Sequence, residues 1–319
     1  MLRDKGILVL LDCELLENVS TIKRVVFDTT RNIREEITMK IAMYSRFSTM
    51  IIEEGIEKTA EFAKEQGFWG VELLCSILDT KVDAIPNIAA ARKVRSVLDD
   101  YNLPMVCYSV GCNALMPDAV DKMCRRIDIA KELGSPYVHH TLIPGMEIIG
   151  EVADFHEKIK IVLENAEKIA NYANTQGITC IYEEQGRYVN GVENFGFFLH
   201  EMKKRCKNVG VCADLGNIMY VNETPEAFLQ QYIEDVKHVH IKDLLHKEND
   251  KSPGMYWRKG KGKSWLRHTM VGHGIVNYST CMKILKEAGY NGAYALELTH
   301  PEPYEQGVQQ AFEYLNTLC

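Results

Sequence analysis

The 319-residue sequence lacks the features that mark several large classes of protein. No apolar run approaches the ~20 residues of a membrane-spanning helix, and the first residues lack the basic start and small-residue cleavage site of a signal peptide. The ten cysteines are scattered without a C-x-x-C pair, which is typical of reduced thiols in a cytosol. The net charge of −7 lacks the basic excess that nucleic-acid-binding proteins show. We therefore expect a cytoplasmic protein with neither a membrane nor a nucleic acid as its partner.

Short apolar segments alternate with helix-forming segments from Met39 to the end of the chain. The apolar segments are rich in β-branched and aromatic residues, as strands are. Eight such units in about 280 residues predict an α/β fold, a single (β/α)8 or TIM barrel over residues 39–319. A doubly wound open sheet is the alternative, but no G-x-G-x-x-G follows the first strand. The predicted strands are KIAMYS, FWGVELL, LPMVCYSV, SPYVHHTL, ITCIYEE, VGVCADLG, VKHVHIKD and GAYALELT.

Residues 1–38 do not continue this alternation and are predicted to form a separate N-terminal extension. Two explanations stay open. In the first, the natural protein starts at Met39, and the preceding REEIT is encoded by a purine-rich stretch that resembles a bacterial ribosome-binding site. In the second, the extension is a genuine part of the protein and packs a helix against the barrel.

Acids and histidines stand where several predicted strands end, and this edge of a barrel carries the active site. For a lone histidine pair such as His238 and His240, hydrogen-bonded core histidines would be the simpler interpretation. Burying so many acids without a cation would cost several kcal/mol, so the set favours a divalent ion. Three carboxylates and an imidazole suit Mn²⁺ first, with Mg²⁺, Co²⁺ or Zn²⁺ as alternatives, and no cysteine joins the set. The strand-end residues are His139, His140, Glu183, Glu184, Asp214, His240 and Glu297.

Six segments spread over residues 39–319 carry a resemblance to a known family. They are GFWGVELL, GITCIYEEQG, NVGVCADLGN, VKHVHIKD, VGHGIVNY and GAYALELT. In these segments the chain resembles the sugar phosphate isomerase/epimerase superfamily, the xylose isomerase-like TIM barrels that include apurinic endonuclease family 2. The resemblance implies that Glu183, Asp214, His240 and Glu297 bind one divalent ion. It also implies that Glu183 and Glu297 act as acid and base on opposite faces of a sugar.

The activity implied by this resemblance is that of a metal-dependent isomerase or epimerase acting on a sugar or sugar phosphate. The ion would polarise a carbonyl group, and one glutamate would remove the neighbouring proton while the other returns it. Two departures from the pattern of the family weaken an assignment as a free-ketose 3-epimerase. Asn217 stands where a histidine often follows the sixth-strand aspartate, although it keeps a polar substrate contact, and Val189 stands where some members have a further glutamate.

Other functions stay open beside this one. The main alternative is a lyase-type relative, either the metal-binding subunit of a C-glycoside-cleaving enzyme or a dehydratase acting on an oxidised sugar. Such relatives use a strand-end histidine as base, and a small partner subunit or a homo-oligomer would be compatible with the sequence. A DNA-repair endonuclease would need many more histidines for a trinuclear zinc cluster. A non-catalytic scaffold would not need the ligand quartet.

Further strand residues are candidates for contact with the substrate. Adjacent residues of a strand point to opposite faces, so only one of His139 and His140 faces the lumen. We expect His140, which lies nearer the end of its strand, to supply an extra base, with a structural histidine as the alternative. Lys242 points inward by the same alternation and either stabilises an enolate oxygen or pairs with the aspartate that follows it. Glu184 is expected to be structural, and Glu72 is expected to form a structural ion pair, with a reach into the pocket from the second strand as the alternative.

The longest strand-to-helix connection, residues 244–276, follows the seventh strand and is predicted to cover the active site. Within it, the stretch YWRKGKGKSWLRH alternates cations with glycines that let the backbone approach an anion. We expect Arg258 and Lys259 to bind a phosphate or carboxylate of the substrate and Trp257 to stack on a sugar ring. A solvated flexible loop is the alternative interpretation of this charge run.

Overall fold

Eight parallel strands pair side by side until the last closes on the first, which confirms the predicted (β/α)8 barrel. The structure is a computed structural model that describes residues 39–76, 83–149 and 154–318; the extension at residues 1–38 lies outside the described ranges. The strands are β1 (Ile41–Met43), β2 (Gly70–Ser76), β3 (Met105–Gly111), β4 (Tyr137–His140), β5 (Thr179–Glu183), β6 (Val209–Asp214), β7 (Val236–Ile241), β8 (Asp243–Glu248), β9 (Arg258–Lys259), β10 (Ser264–Thr269) and β11 (Tyr294–Leu296). The barrel contains β1–β7 and β11, and β11 pairs with both β7 and β1.

Helices occupy the connections between the barrel strands. They are α1 (Phe47–Glu54), α2 (Ile56–Glu65), α3 (Ile88–Asp100), α4 (Ala119–Leu133), α5 (Phe155–Thr175), α6 (Val192–Arg205), α7 (Pro225–Tyr232), α8 (Tyr278–Glu287) and α9 (Tyr304–Asn316). Their buried residues recur every three or four positions, as Ile159, Val162 and Ala166 do in α5, which is the pattern of a helix with one buried face. Thr224 and Asn277 begin α7 and α8 by accepting a hydrogen bond from a backbone N–H three residues on. None of the described helices is long and apolar enough to cross a membrane.

The interior of the barrel is filled by small and medium apolar side chains. Alternate residues of a strand point inward, and the members of this layer lie on or beside β1, β3, β5, β6 and β11. This packed layer closes the barrel beneath the strand ends and excludes a continuous water-filled pore. Its members are Ala42, Tyr44, Val106, Cys107, Ile181, Cys212, Ala293 and Ala295.

The connection after β7 contains a small sheet, which opposes the alternative interpretation of a flexible loop. Strands β8, β10 and β9 form an antiparallel sheet in that order. Its apolar face buries Leu244 and Leu266 against Tyr220, which follows β6, and against Met146 and Ile148, which follow β4. Because those connections leave the C-terminal ends of the barrel strands, the small sheet lies at the end of the barrel where the predicted ligands stand.

Candidate active site

The four residues predicted to bind a metal ion meet at the C-terminal end of the barrel. Their strands, β5, β6, β7 and β11, are consecutive neighbours, so the strand ends converge. One ligand atom from each of Glu183, Asp214, His240 and Glu297 lies within 4.8 Å of the other three. The Nδ1 atom of His240 is 2.9 Å from Glu183 Oε1, 3.5 Å from Glu297 Oε2 and 3.9 Å from Asp214 Oδ2.

The orientation of Asp214 follows from the turn after β6. Its Oδ1 atom accepts hydrogen bonds from the backbone N–H groups of Gly216 and Asn217, at 2.7 and 2.8 Å. This leaves Oδ2 to face the other ligands. The backbone N–H of Asp214 donates to Oε1 of Glu184 at 3.0 Å, which places Glu184 outside the quartet. Burial raises the pKa of Glu184 well above its usual range.

Lys242 is buried at the rim of the quartet. Its Nζ atom lies 2.8 Å from Asp214 Oδ2 and 2.8 Å from Glu297 Oε1, and it donates to Oδ1 of Asn217 at 2.9 Å. Asn217, which departs from the family's histidine, therefore supplies an amide oxygen that accepts a hydrogen bond from the ammonium group. The alternative ion pair between Lys242 and Asp243 does not form. The Asp243 carboxylate instead accepts hydrogen bonds from the backbone N–H groups of Leu244, Gly272, Gly274 and Val276.

The surroundings of the quartet shift the pKa values of its two glutamates in opposite directions. Burial, with the nearby Asp214, raises the pKa of Glu183 to about 7 against the opposing effects of His240 and Lys242. Burial also raises the pKa of Glu297, but Lys242 and His240 outweigh it and lower that pKa to about 2. Three carboxylates beside a single ammonium group leave two negative charges when His240 is neutral. A divalent cation would compensate that remaining charge.

The spacing and chemistry of the ligand atoms fit a single divalent ion. Ligands that lie about 2.0–2.5 Å from an ion are at most about 5 Å apart, and the four atoms meet this limit. The oxygen-rich set suits Mn²⁺ or Mg²⁺. Cys212, which was not among the predicted ligands, also offers its Sγ atom within 4.8 Å of ligand atoms of Glu183 and His240. Burial raises the pKa of this thiol well above its usual value, so it stays a poor ligand.

A carboxylate beneath the quartet, for which the sequence favoured a structural ion pair, contacts the predicted ligand His240. Glu72, on β2, lies 3.2 Å from Nε2 of His240 and 2.6 Å from Nε2 of His238. Although burial raises it, the two imidazoles hold the pKa of Glu72 well below its ordinary value. A carboxylate behind a ligating imidazole orients the ring. The only signal for it in the sequence is an acid within the apolar strand GVELL.

His139, and not His140, faces the lumen of the barrel. The Nε2 atom of His139 is 3.6 Å from Oε2 of Glu183. The ring of His140 packs edge-on against Tyr182, with 5.2 Å between the ring centroids, on the other face of the sheet. The expectation that His140 faces the lumen is therefore corrected to His139, because the position nearer the strand end has the outward parity. Burial lowers the pKa of His140 to about 4.

The predicted substrate contacts of the small sheet lie on different faces. Arg258 stands opposite Leu266 on β10, so the two share the face that packs against the barrel connections. Lys259 stands opposite Trp265, and its Nζ atom lies 5.0 Å from that ring's centroid. The ring of Trp257 lies near cations of β8 and β10, at 5.2 and 6.0 Å. The prediction that Arg258, Lys259 and Trp257 meet one substrate is corrected by this alternation.

Comparison with known proteins agrees with this architecture. Residues 60–318 match the family described as xylose isomerase-like TIM barrel. The chain belongs to this family. The resemblance noted in the sequence motifs is thereby confirmed, and the match covers the described barrel from α2 to the C-terminal helix.

Relatives within and around this family carry sugar-related names. The inosose dehydratase of Clostridium beijerinckii is 25% identical over 161 residues, which are 50% of this chain and 51% of that protein. The chain thus aligns with about half the length of this curated relative. The 3-keto-D-glucoside 4-epimerase of E. coli has the same fold, with a TM-score of 0.64, 16% identity and coverage of 88% and 100% of the two chains. A xylose isomerase-like barrel of Mycobacterium smegmatis in complex with magnesium has a TM-score of 0.60 and 19% identity, and the match covers 82% of this chain and 87% of that one.

Proposed function

We propose that this protein is a divalent-metal-dependent enzyme that removes a proton next to the carbonyl group of a sugar or sugar phosphate. The observation that carries the proposal is the buried quartet of Glu183, Asp214, His240 and Glu297 around one ion-sized space. The printed names of the relatives support a carbohydrate substrate, and the magnesium complex of one structural neighbour supports a divalent ion. When bound, such an ion supplies Lewis-acid polarisation of a carbonyl oxygen.

The side chains divide the remaining work between them. Glu183, whose pKa burial raises to about 7, suits the removal and return of a proton near neutral pH. Lys242 holds an ammonium group beside the carboxylates and would stabilise negative charge that develops on a substrate oxygen. The apolar layer beneath the quartet keeps water away from one side of the reacting carbon.

The first candidate reaction is isomerisation or epimerisation. Glu183 ends β5 and Glu297 follows β11, with β6 and β7 between them, so the two carboxylates enter the mouth from either side of these strands. A substrate held between them would lose a proton to one glutamate and receive a proton from the other. Transfer to the opposite face inverts the carbon centre, and transfer on a single face moves the carbonyl group.

The second candidate is a lyase-type reaction, favoured by the contact between Lys242 and Glu297. The ammonium group lies 2.8 Å from Oε1 of Glu297, so this carboxylate is already engaged while a proton donor stands beside it. In a dehydration, the base takes the proton from carbon, the neighbouring C–O bond breaks, and the hydroxyl leaves as water with a proton from Lys242. A C-glycoside cleavage would release an aglycone at the corresponding step. The curated name inosose dehydratase supports this candidate.

Proton exchange in D₂O separates the two candidates. We expect a ketose, its phosphate, or a keto-inositol to react only with the divalent ion present, and NMR should follow both deuterium and product. An epimerase or isomerase would place deuterium on carbon with no loss of oxygen. A dehydratase would release one water and form an unsaturated ketone with ultraviolet absorption. If Mn²⁺, Mg²⁺, Co²⁺ and Zn²⁺ all support neither exchange nor product for any of these compounds, the proposed function is wrong.

The small sheet predicts how the enzyme reads substrate charge. Arg258 shares the face of Leu266, and no described carboxylate forms an ion pair with its guanidinium group. Replacing Arg258 by Ala should raise KM for a phosphorylated substrate about tenfold or more, since a charge-assisted hydrogen bond contributes about 1.5–3 kcal/mol.

Lys259 provides the matched control. It is adjacent to Arg258 in the chain, but its side chain points to the opposite face of the small sheet and lies over Trp265. Lys259→Ala should leave KM for the same phosphorylated substrate within about twofold. Steady-state kinetics on phosphorylated and unphosphorylated forms of one sugar would measure both variants. Equal effects of Arg258→Ala on the two substrates would show that this residue does not recognise the anion.

A further inference from the structure

Glu72 joins three hydrogen-bonding groups beneath the quartet. Its side chain is fully buried, and Oε1 accepts from Oγ of Ser109 at 2.5 Å and lies 3.2 Å from Nε2 of His240. Its Oε2 atom lies 2.6 Å from Nε2 of His238. An ionised carboxylate has only acceptor sites and satisfies all three neighbours when each of them donates.

The position of each proton follows from this arrangement. Ser109 has a single hydroxyl hydrogen, which it donates in its hydrogen bond to Glu72. Oγ of Ser109 also lies 2.9 Å from Nδ1 of His139, and with its hydrogen used it can only accept there. His139 must therefore carry its hydrogen on Nδ1, which leaves Nε2 with a free lone pair.

A related argument applies to His240. An ion held by the quartet would need the lone pair of Nδ1, the atom that faces Glu183, Asp214 and Glu297, so Nε2 would carry the hydrogen, and Glu72 lies 3.2 Å away to accept it. One carboxylate therefore specifies the tautomer of two imidazoles that belong to different strands. Both rings direct a bare nitrogen at the ligand cluster.

The bare nitrogen of His139 accepts no hydrogen bond from the part of the chain that the structure describes. Nε2 is buried and finds no hydrogen bond among the described residues, and it lies 3.6 Å from Oε2 of Glu183. Within the described ranges, three ion-sized groups share His240, the quartet and two smaller sets that contain Glu72 or Cys212, and none of them includes His139. This nitrogen is therefore placed beside the site of the ion and is available to an atom that enters next to Glu183.

We propose that Glu72 is a positioning residue that sets the tautomers of His240 and, through Ser109, of His139, so that His139 Nε2 accepts a hydrogen bond from a substrate hydroxyl group. The inference about the hydroxyl group rests on the proposed function, whereas the tautomer of His139 does not. Ser109 transmits the effect to one ring only, and Glu72 acts on both. This difference allows the two variants to be distinguished.

The tautomers can be measured without any substrate. Long-range ¹H–¹⁵N spectra of the Zn²⁺-loaded full chain report which ring nitrogen carries the hydrogen, and His139→Gln identifies the signals of that ring. We expect His139 to be in the Nδ1–H form. Ser109→Ala should move it to the Nε2–H form that free histidine prefers and leave His240 unchanged. A wild-type His139 in the Nε2–H form, or one that Ser109→Ala leaves unchanged, would overturn the proposal.

Measurements of metal affinity test the proposed effect of Glu72 on His240. Glu72→Gln keeps the shape but cannot accept three hydrogen bonds, and it should weaken Mn²⁺ binding about 10–100-fold, as loss of a carboxylate behind a ligating histidine does. The absorption spectrum of the Co²⁺-loaded protein should change as well. Ser109→Ala should keep both the affinity and the spectrum while lowering kcat. Unchanged Mn²⁺ affinity in a folded Glu72→Gln protein would contradict the proposal.

Ser264→Ala is the matched control for loss of a buried serine beside a histidine. Oγ of Ser264 lies 3.1 Å from Nε2 of His246 in the small sheet, away from the quartet. This variant should change neither the tautomer of His139 nor the affinity for Mn²⁺. If Glu72→Gln fails to fold, the spectra of Ser109→Ala still decide the proposal. If no sugar reacts, the proposed function fails while the tautomers and affinities are still measured.

Discussion

Replacing Glu297 by Gln should lower kcat by about 10²–10⁴-fold, the usual contribution of a general acid or base. The amide keeps the size of the side chain and one oxygen ligand, but it cannot carry a proton. It also removes the negative charge that faces Lys242 at 2.8 Å and His240 at 3.5 Å. We therefore expect weaker metal binding that excess Mn²⁺ restores, whereas kcat should stay low at saturating metal and substrate.

Deuterium exchange in the same variants distinguishes the two glutamates. If they act on opposite faces of the substrate, Glu183→Gln or Glu297→Gln should still exchange a substrate proton with D₂O without inverting the carbon. Glu305→Gln, at an exposed acid in the first turn of α9, should behave as the wild type and serves as the control. Full turnover after either of the first two changes would contradict the two-glutamate mechanism. In that case the base would be a strand-end histidine, His139, as the lyase-type candidate requires.

Replacing Lys242 by Met should destabilise the metal-free protein by about 3–5 kcal/mol, the usual effect of removing one partner from a buried ion pair. Lys242 is 1% exposed and lies 2.8 Å from carboxylates of both Asp214 and Glu297. Methionine retains much of the side-chain length and removes the only ammonium group that contacts these acids among the residues that the structure describes. The remaining carboxylates would be buried without compensation in the absence of the ion.

A divalent ion should restore much of this loss. A ligand present at 100 times its Kd stabilises the state that binds it by about 2.7 kcal/mol, and removal of the neighbouring cation should strengthen ion binding. Urea denaturation with and without Mn²⁺ would measure both effects. Lys203→Met removes an exposed pair with Asp235 and should cost less than about 1 kcal/mol. A metal-free Lys242→Met protein as stable as the wild type would show that the ammonium group does not compensate the quartet.

The loss caused by Lys242→Met should also depend on pH in a defined direction. Without the ammonium group, burial and mutual repulsion raise the folded-state pKa of the remaining carboxylates above their unfolded values. Protonation then stabilises the folded state, so the deficit should be small at low pH and should grow as pH rises through those raised pKa values. Urea midpoints over that range, with a chelator present, would measure this trend.

Alternation along single strands was sufficient to predict which ligands point into the barrel. A strand has a period of two, so His238, His240 and Lys242 share a face whatever their neighbours are. Strand ends of a parallel barrel meet at one edge, so Glu183 and Asp214 were expected to converge with them. The barrel itself followed from eight repeated strand–helix units, because few other folds accommodate that pattern.

The choice between neighbouring residues required the tertiary structure. In YVHH, alternation requires one histidine inside and one outside but does not say which, and the register with β3 places His139 beside Ser109. The faces of Arg258 and Lys259 depend on how a two-residue strand pairs with β10. Neither register is determined by the local sequence, because each depends on pairing with another strand, β3 in the first case and β10 in the second.

The sequence by itself therefore determined the fold, the family resemblance and the residue types available to an ion. Only the tertiary structure decided which protons those residues carry. Glu72 contacts His238 across 166 positions of the chain and His240 across 168, and it reaches His139 through Ser109. No pattern of spacing encodes such contacts, because only closure of the barrel brings the histidines of β7 within hydrogen-bond distance of a carboxylate carried by β2. The donors that surround it then assign each hydrogen.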